Sequence, residues 1–239
     1  MLRDTVRSLT LHAGGSWDVD PDSLTPEESQ LLNMGILLLA STQVRFTSIL
    51  ILRVCIDIAF PKLGMDSLPN DYIDHPINLL KVALQHTHPR RPKNLLTHNR
   101  HGPSESALQF ELYAILRSIL PKHWLCTSEA RIHGQQKRLD LLVQDGGNPW
   151  AGFELKVNLI SEAEFREPLR QAARYSQQYT ITIYLVNFIS KTALLPPTLR
   201  RDRVEGVNIR YNEGMDEFDV NWREEEVDVV RVVDGDITA

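Results

Sequence analysis

Cysteine is scarce in this chain: Cys55 and Cys126 are the only two in 239 residues, and each lies in an apolar stretch. That scarcity excludes a disulfide-dense secreted scaffold and fits two reduced core thiols in an intracellular protein. No Cys/His set has zinc-ligand spacing; the nearest pairs, His86/His88 and His98/His101, fall in a segment rich in Pro and Arg. A GxxxxGK[ST] loop is missing, which excludes a P-loop nucleotide site. Long apolar runs are missing too. The most hydrophobic stretch, 31–60, is interrupted by Asn33, Gln43, Arg45, Arg53 and Asp57, so no membrane span is expected. The first residues, MLRDTVRSLTLHAGGSW, lack the apolar core of a signal peptide, and a soluble intracellular protein is expected.

An overall basic character is absent as well, since the net charge is −5. The distribution is uneven. Residues 90–174 carry 13 Lys/Arg against 9 Asp/Glu, and residues 203–239 carry 4 against 11. A basic middle and an acidic tail can coexist with a phosphate-binding face that the mean charge hides.

Thr25-Pro26-Glu27-Glu28 combines a capping Thr, Pro at the first helical position and Glu at the third, and so opens a helix that stops at Gly35. A strand over 36–40, a turn at 41–43, a strand over 44–46 and a helix over 49–60 follow. A short helix over 74–86, with Asp74 as its cap, leads into an extended basic linker over 89–103. From Ser104 the pattern is regular: helix 104–120, strands 124–132, 138–143 and 150–157, amphipathic helix 162–178, and strand 180–188. Gly134 to Lys137 and Asp145 to Asn148 supply turns. Strand patterns recur at 204–211 and 217–221 before Glu224-Glu225-Glu226. The expected class is α/β, an αβββαβ sandwich (104–239) with an acidic tail. It is preceded by a helix and linker (65–103) and a small winged-helix-like region (1–64).

One constellation carries chemistry. Glu154 and Lys156, two apart on a strand, share a face, and Leu155 points to the opposite, buried side. The turn at Gly146-Gly147 folds the strand of Asp140 back beside them. Carboxylate oxygens suit Mg²⁺ or Mn²⁺, which lower the pKa of a bound water and stabilise a leaving oxygen; an adjacent ammonium offsets charge developing on phosphate. Four residues apart on the next helix, Gln171 and Tyr175 share a face. On the first helix, Glu105 lies within about 20° of Leu112 on the stripe of Leu108, Leu112, Leu116 and Ile119, whereas Glu111 falls about 100° away. Glu105 is therefore favoured over Glu111 as a third carboxylate. The alternative for Glu105 is simple charge stabilisation of a helix start.

Asp140…Glu154-Leu155-Lys156 with Gln171-Ala172-Ala173-Arg174-Tyr175 resembles the signature of the PD-(D/E)XK nuclease superfamily, in its RecB-type branch with a Q-x-x-x-Y element. Leu139 stands where that signature has Pro. The resemblance implies a restriction-endonuclease-like fold and a Mg²⁺- or Mn²⁺-dependent nuclease acting on nucleic acid, DNA before RNA. It implies metal ligation by Glu105, Asp140 and Glu154, with Lys156, Gln171 and Tyr175 completing the catalytic set. Gln171 and Tyr175 would face the active site and the nucleic acid.

The segment LLNMGILLLASTQVRFTSILILRVCIDIAF resembles the winged-helix module that follows the ATPase core in AAA- and STAND-type proteins. PSE…QxEL followed by RLD, ELK and QxxxY is similar in arrangement to the nuclease-bearing C-terminal part of Crinkler-type effectors. That likeness implies an ATPase module in longer relatives and action in the nucleus rather than the cytoplasm. Two other functions stay open: a non-catalytic nucleic-acid- or protein-binding effector module that keeps the fold, and a regulatory winged-helix DNA binder. The poverty of Lys/Arg over 25–60 argues against the last.

Overall fold

A computed structural model describes residues 16–18, 20, 23–47, 51, 54, 55, 68, 71–87, 103–131, 138–197, 199–223 and 226–232. At the start, β1 (Ser16–Asp18), α1 (Pro26–Asn33), β2 (Leu37–Ala40) and β3 (Gln43–Phe46) form a helix and a three-stranded antiparallel sheet of order β1-β3-β2. The capping box forms as expected: Glu28 N–H donates to Thr25 Oγ1 at 3.2 Å, and Thr25 N–H donates to Glu28 Oε2 at 2.9 Å. The hairpin was expected, and β1, which pairs with β3, was not. Of the helix expected over 49–60, Ile51, Val54 and Cys55 are helical and the rest lies outside the described residues, as do most of the linker and the turn at 134–137.

The short helix α2 (Pro76–Gln85) is capped by His75, whose Nδ1 accepts from Ile77 N–H at 3.2 Å, and not by Asp74. Pro at the first helical position fixes the cap at the residue before it. α2 packs on α3 (Glu105–Ile119) and on the last strand, and Tyr72 Oη donates to Ile119 C=O at 2.7 Å. A single cluster of buried apolar side chains runs from Leu31 to Val230.

Beyond α3 follow β4 (Trp124–Arg131), β5 (Arg138–Asp145), β6 (Asn148–Val157), α4 (Glu162–Tyr179) and β7 (Ile183–Ser190), the helix–three strands–helix–strand order expected. Then come β8 (Arg200–Arg201), β9 (Val204–Tyr211), β10 (Glu217–Arg223) and β11 (Glu226–Arg231). The acidic ending is thus in part a strand, whose Val227 and Val229 alternate with Asp228, a partner of Lys81. The sheet order is β11-β10-β9-β7-β6-β5-β4, with β8 on β9. β6, β7 and β9 are mutually parallel, and antiparallel pairs flank them. The protein is therefore a mixed α/β structure. No helix among the described residues is long and apolar enough to cross a membrane.

α2 and α3 cover one face of the sheet, burying Leu141, Val143, Phe153, Leu155, Val186 and Ile209. α4 covers the other, over Leu142, Ile183, Leu185 and Val204. Burial on both faces is what strands at the parallel centre of a sheet require. One close approach fixes the packing under α4. A Cβ at Gly152 would stand 2.5 Å from Ile183 Cδ1 and 2.8 Å from Leu139 Cδ2, so any larger residue would force these two buried side chains to shift. Gly152→Ala is expected to lower stability by about 1–3 kcal/mol through overpacking, read by urea denaturation. It should also shift the amide resonances of Asp140, the next residue after Leu139.

Candidate active site

The β5–β6 ladder runs from Asp145–Asn148 to Leu141–Phe153 and stops there. Beyond it the two strands part: Arg138 and Leu139 pair only with β4, and Glu154 to Val157 pair only with β7. The Asp140 carboxylate fills the fork, its Oδ2 accepting from Leu155 N–H at 2.7 Å. The freed Asp140 carbonyl accepts from Gln109 Nε2 of α3 at 3.1 Å. Opposite, Glu129 in β4 has φ +50, a left-handed distortion beside Asp140.

Into this fork projects Lys156. Its Nζ lies 3.0 Å from Glu105 Oε1, 3.1 Å from Glu154 Oε1 and 4.0 Å from Asp140 Oδ2, and it donates to Leu155 C=O at 2.6 Å. From α4, Gln171 Nε2 donates to Glu154 Oε1 at 2.8 Å and to Tyr175 Oη at 2.9 Å. The six residues singled out in the sequence are thus brought into one cluster.

Exposure grades across it. Glu154 is 1% exposed, the side chains of Asp140 and Lys156 are 15% and 17%, and that of Glu105 is 43%. The opening is on the Glu105 side. Burial raises the Glu154 carboxyl from 4.5 to about 8, with the Asp140 charge adding to it and Lys156 opposing. Burial likewise raises Asp140 from 3.8 to about 6, against the pull of Lys156 and of the Leu155 amide. Burial alone would lower the Lys156 pKa, but the charges of Glu154, Asp140 and Glu105 together outweigh it and the pKa rises. Tyr175 is raised by burial and by the neighbouring Glu154.

Three expectations need correction. Glu105 is not on a buried stripe, since close burial of α3 begins at Ala107; it reaches Lys156 from the open first turn. Glu111, placed about 100° off that stripe, is itself buried: it is 5% exposed and lines a cavity with Leu108, Met215 and Phe218, away from the cluster. A lone helix would leave that side solvated, and α2 packs against it. Tyr175 is 1% exposed, so it buttresses Gln171 and does not present itself to a polymer. Arg138, two residues before Asp140, is paired with Glu129.

Two contributors were not assigned a role from sequence. Gln109 sits four residues after Glu105, a spacing that puts both on one helical face. Glu129 bears on Asp140 electrostatically, and nothing in the one-dimensional pattern marks its distorted backbone. Against known proteins, no family model, curated protein or solved structure matches this chain.

The raised carboxyl groups have a measurable consequence. A buried acid whose folded pKa exceeds its unfolded one keeps a proton in the fold, so stability is full below the unfolded value and falls as pH rises through the folded one. With Glu154 moved from 4.5 to about 8, the metal-free protein should lose thermal stability between those values. Glu154→Gln should flatten that decline. Melting temperature recorded across the range in EDTA checks it, and an equal slope in both proteins would place the titration elsewhere.

Proposed function

We propose that the protein is a Mg²⁺- or Mn²⁺-dependent nuclease of the PD-(D/E)XK kind, hydrolysing phosphodiester bonds in DNA before RNA. One observation carries the reading: Glu154 and Lys156 on one strand face meet Asp140 at a strand fork, with Gln171 tied to Glu154 from the covering helix. A solvated strand edge needs none of this burial. The element order from α3 to β7 is also the one the resemblance calls for.

The donor chemistry supports a hard divalent cation. Glu154 Oε2 is buried with no hydrogen-bond partner, an oxygen whose desolvation goes uncompensated unless a cation or proton meets it. Asp140, Glu154 and Glu105 would hold the ion, all through oxygen, the ligand type such ions take. Among the described residues no three His, Cys, Asp or Glu side chains are gathered into a metal-holding group, and the Lys156 ammonium stands among these carboxylates. When bound, Mg²⁺ or Mn²⁺ supplies a water of lowered pKa and stabilises the leaving oxygen.

The chain's own residues do the rest. Gln171 fixes Glu154 Oε1 and leaves Oε2 to the site; Tyr175 holds Gln171. Asp140 keeps the fork open by bonding the Leu155 amide. Lys156, already charged at neutral pH by its three neighbours, orients a water and offsets negative charge at the reacting phosphate. A second reading, a binding module without turnover, is favoured by the same occupancy of the carboxylates by Lys156. Action in the nucleus rests on the Crinkler-type resemblance alone.

Asp140→Asn and Glu154→Gln are expected to abolish Mg²⁺-dependent cleavage of DNA while leaving a folded protein, and Lys156→Ala to reduce turnover more than affinity. Gln171→Ala, removing the group that orients a ligand, should cost about 10–100-fold in activity or metal affinity. Glu105→Gln should weaken Mg²⁺ binding by calorimetry, whereas Glu111→Gln should change stability and not cleavage. A parent that binds Mg²⁺ and nucleic acid but cuts neither DNA nor RNA would leave the binding-module reading standing.

A further inference from the structure

α4 has one face that the site does not use. Arg166, Arg170 and Arg174 recur every four residues along it, and all three are exposed. Four residues of helix rise about 6 Å, so the three guanidinium stems leave the helix at even steps over roughly 12 Å. Arg170 lies near Glu167 at 3.8 Å, a contact between side chains 65% and 58% exposed, too solvated to hold the guanidinium. Arg166 and Arg174 make no ion pair with any described residue.

Their position follows from Gln171, which points at Glu154. On an ideal helix Arg174 stands about 60° and Arg170 about 100° around from Gln171, with Arg166 about 140° around in the same sense. The core-facing residues Ala172, Phe165 and Ser176 lie in the opposite sense. Going round α4 from the core, one therefore meets Tyr175, then Gln171 over the carboxylates, then Glu167 and the arginines. The row lies beyond Gln171 on the side away from the core, and its middle member, Arg170, is one residue from the side chain that orients Glu154. Gln177 and Gln178, also exposed, continue the polar face without adding acid. Choice of arginine matters here: its planar donor fork matches phosphate oxygens two at a time, which a lysine does not.

We propose that Arg166, Arg170 and Arg174 form a rail that binds the phosphodiester backbone of one nucleic-acid strand and lays it along α4 toward the Asp140/Glu154/Lys156 cleft. The rail rests on the nuclease reading for its purpose and, for its chemistry, on three exposed guanidiniums, of which only Arg170 has an ion pair among the described residues, a solvent-exposed one with Glu167. Contacts of this sort are to phosphate, so they position the strand and carry no base preference.

The test is fluorescence anisotropy of a fluorescein-labelled oligodeoxynucleotide, single-stranded and as its duplex, in EDTA so that nothing is cut. The parent is compared with Arg166→Gln/Arg170→Gln/Arg174→Gln across a salt series. Arg45→Gln/Lys122→Gln, an exposed pair on β3 and in the α3–β4 turn, controls for net charge. The rail predicts that the triple variant melts like the parent but binds much more weakly. Its slope of log K against log salt should be shallower by about 2 on a single strand, while the control stays near the parent. In Mg²⁺, the triple variant should show a raised KM with kcat nearly kept. Equal loss per charge in control and triple, or parental binding by the triple, overturns the rail even if the protein cuts DNA. A parent that does not bind the oligonucleotide at low salt overturns it as well. Binding that depends on the three arginines without cleavage in Mg²⁺ or Mn²⁺ keeps the rail and removes the nuclease reading.

Discussion

The local structure turns on a single ammonium among carboxylates taken out of water. Lys156 stands within 3.1 Å of both Glu105 and Glu154 and at 4.0 Å from Asp140. Glu154 in particular is closed over by α4, where an unpaired charge would be costly. Burial pushes the acids toward holding protons and the lysine toward losing one; their mutual attraction pulls the other way. The result holds the lysine in its charged form while pushing Glu154 toward its protonated form. Removing one partner of such a cluster leaves the others uncompensated, so its members are tied together more closely than their pairwise contacts suggest.

The fork between β5 and β6 makes that burial geometrically feasible. A continuous ladder would bring the strands too near for a carboxylate to lie between them. The separation after Leu141–Phe153 exposes a backbone amide at Leu155, and the Asp140 side chain satisfies it. Gln109 does the same for the Asp140 carbonyl from the opposite layer. Gly152, with no side chain, admits Leu139 over the neighbouring strand just before the fork opens. The two helices thus have separate duties: α3 braces the backbone of β5 and lends Glu105, and α4 orients Glu154 through Gln171.

Much of this was legible in one dimension. Alternation placed Glu154 and Lys156 on one face, the glycine turn returned Asp140 to them, and four-residue spacing set Gln171 beside Tyr175. Each is a local regularity, and local regularities survive folding. What failed depended on neighbours far along the chain. Glu111 looked like a flank residue because a single helix cannot announce that α2 will cover its outer side. Glu129 was silent because a backbone distortion leaves no mark in residue type there. The strand β11 was hidden inside an acidic ending, where charged residues alternate with Val227 and Val229 on a sheet margin. The partner strand, and not the charge count, decides such a segment.

The tight hairpin between β5 and β6 has a bearing on the order of events during folding. Its two glycines take φ of +53° and +91°, and the strands on either side pair at once across it. Closing so short a loop costs little chain entropy, and hairpins form within microseconds. The parallel pairing of β6 with β7 must wait for the whole α4 crossover, and β9 waits longer still. Asp140 and Glu154 therefore meet early, while both are still wet and their mutual repulsion is weak. The expensive step, sealing Glu154 under α4, comes when Lys156 is already alongside.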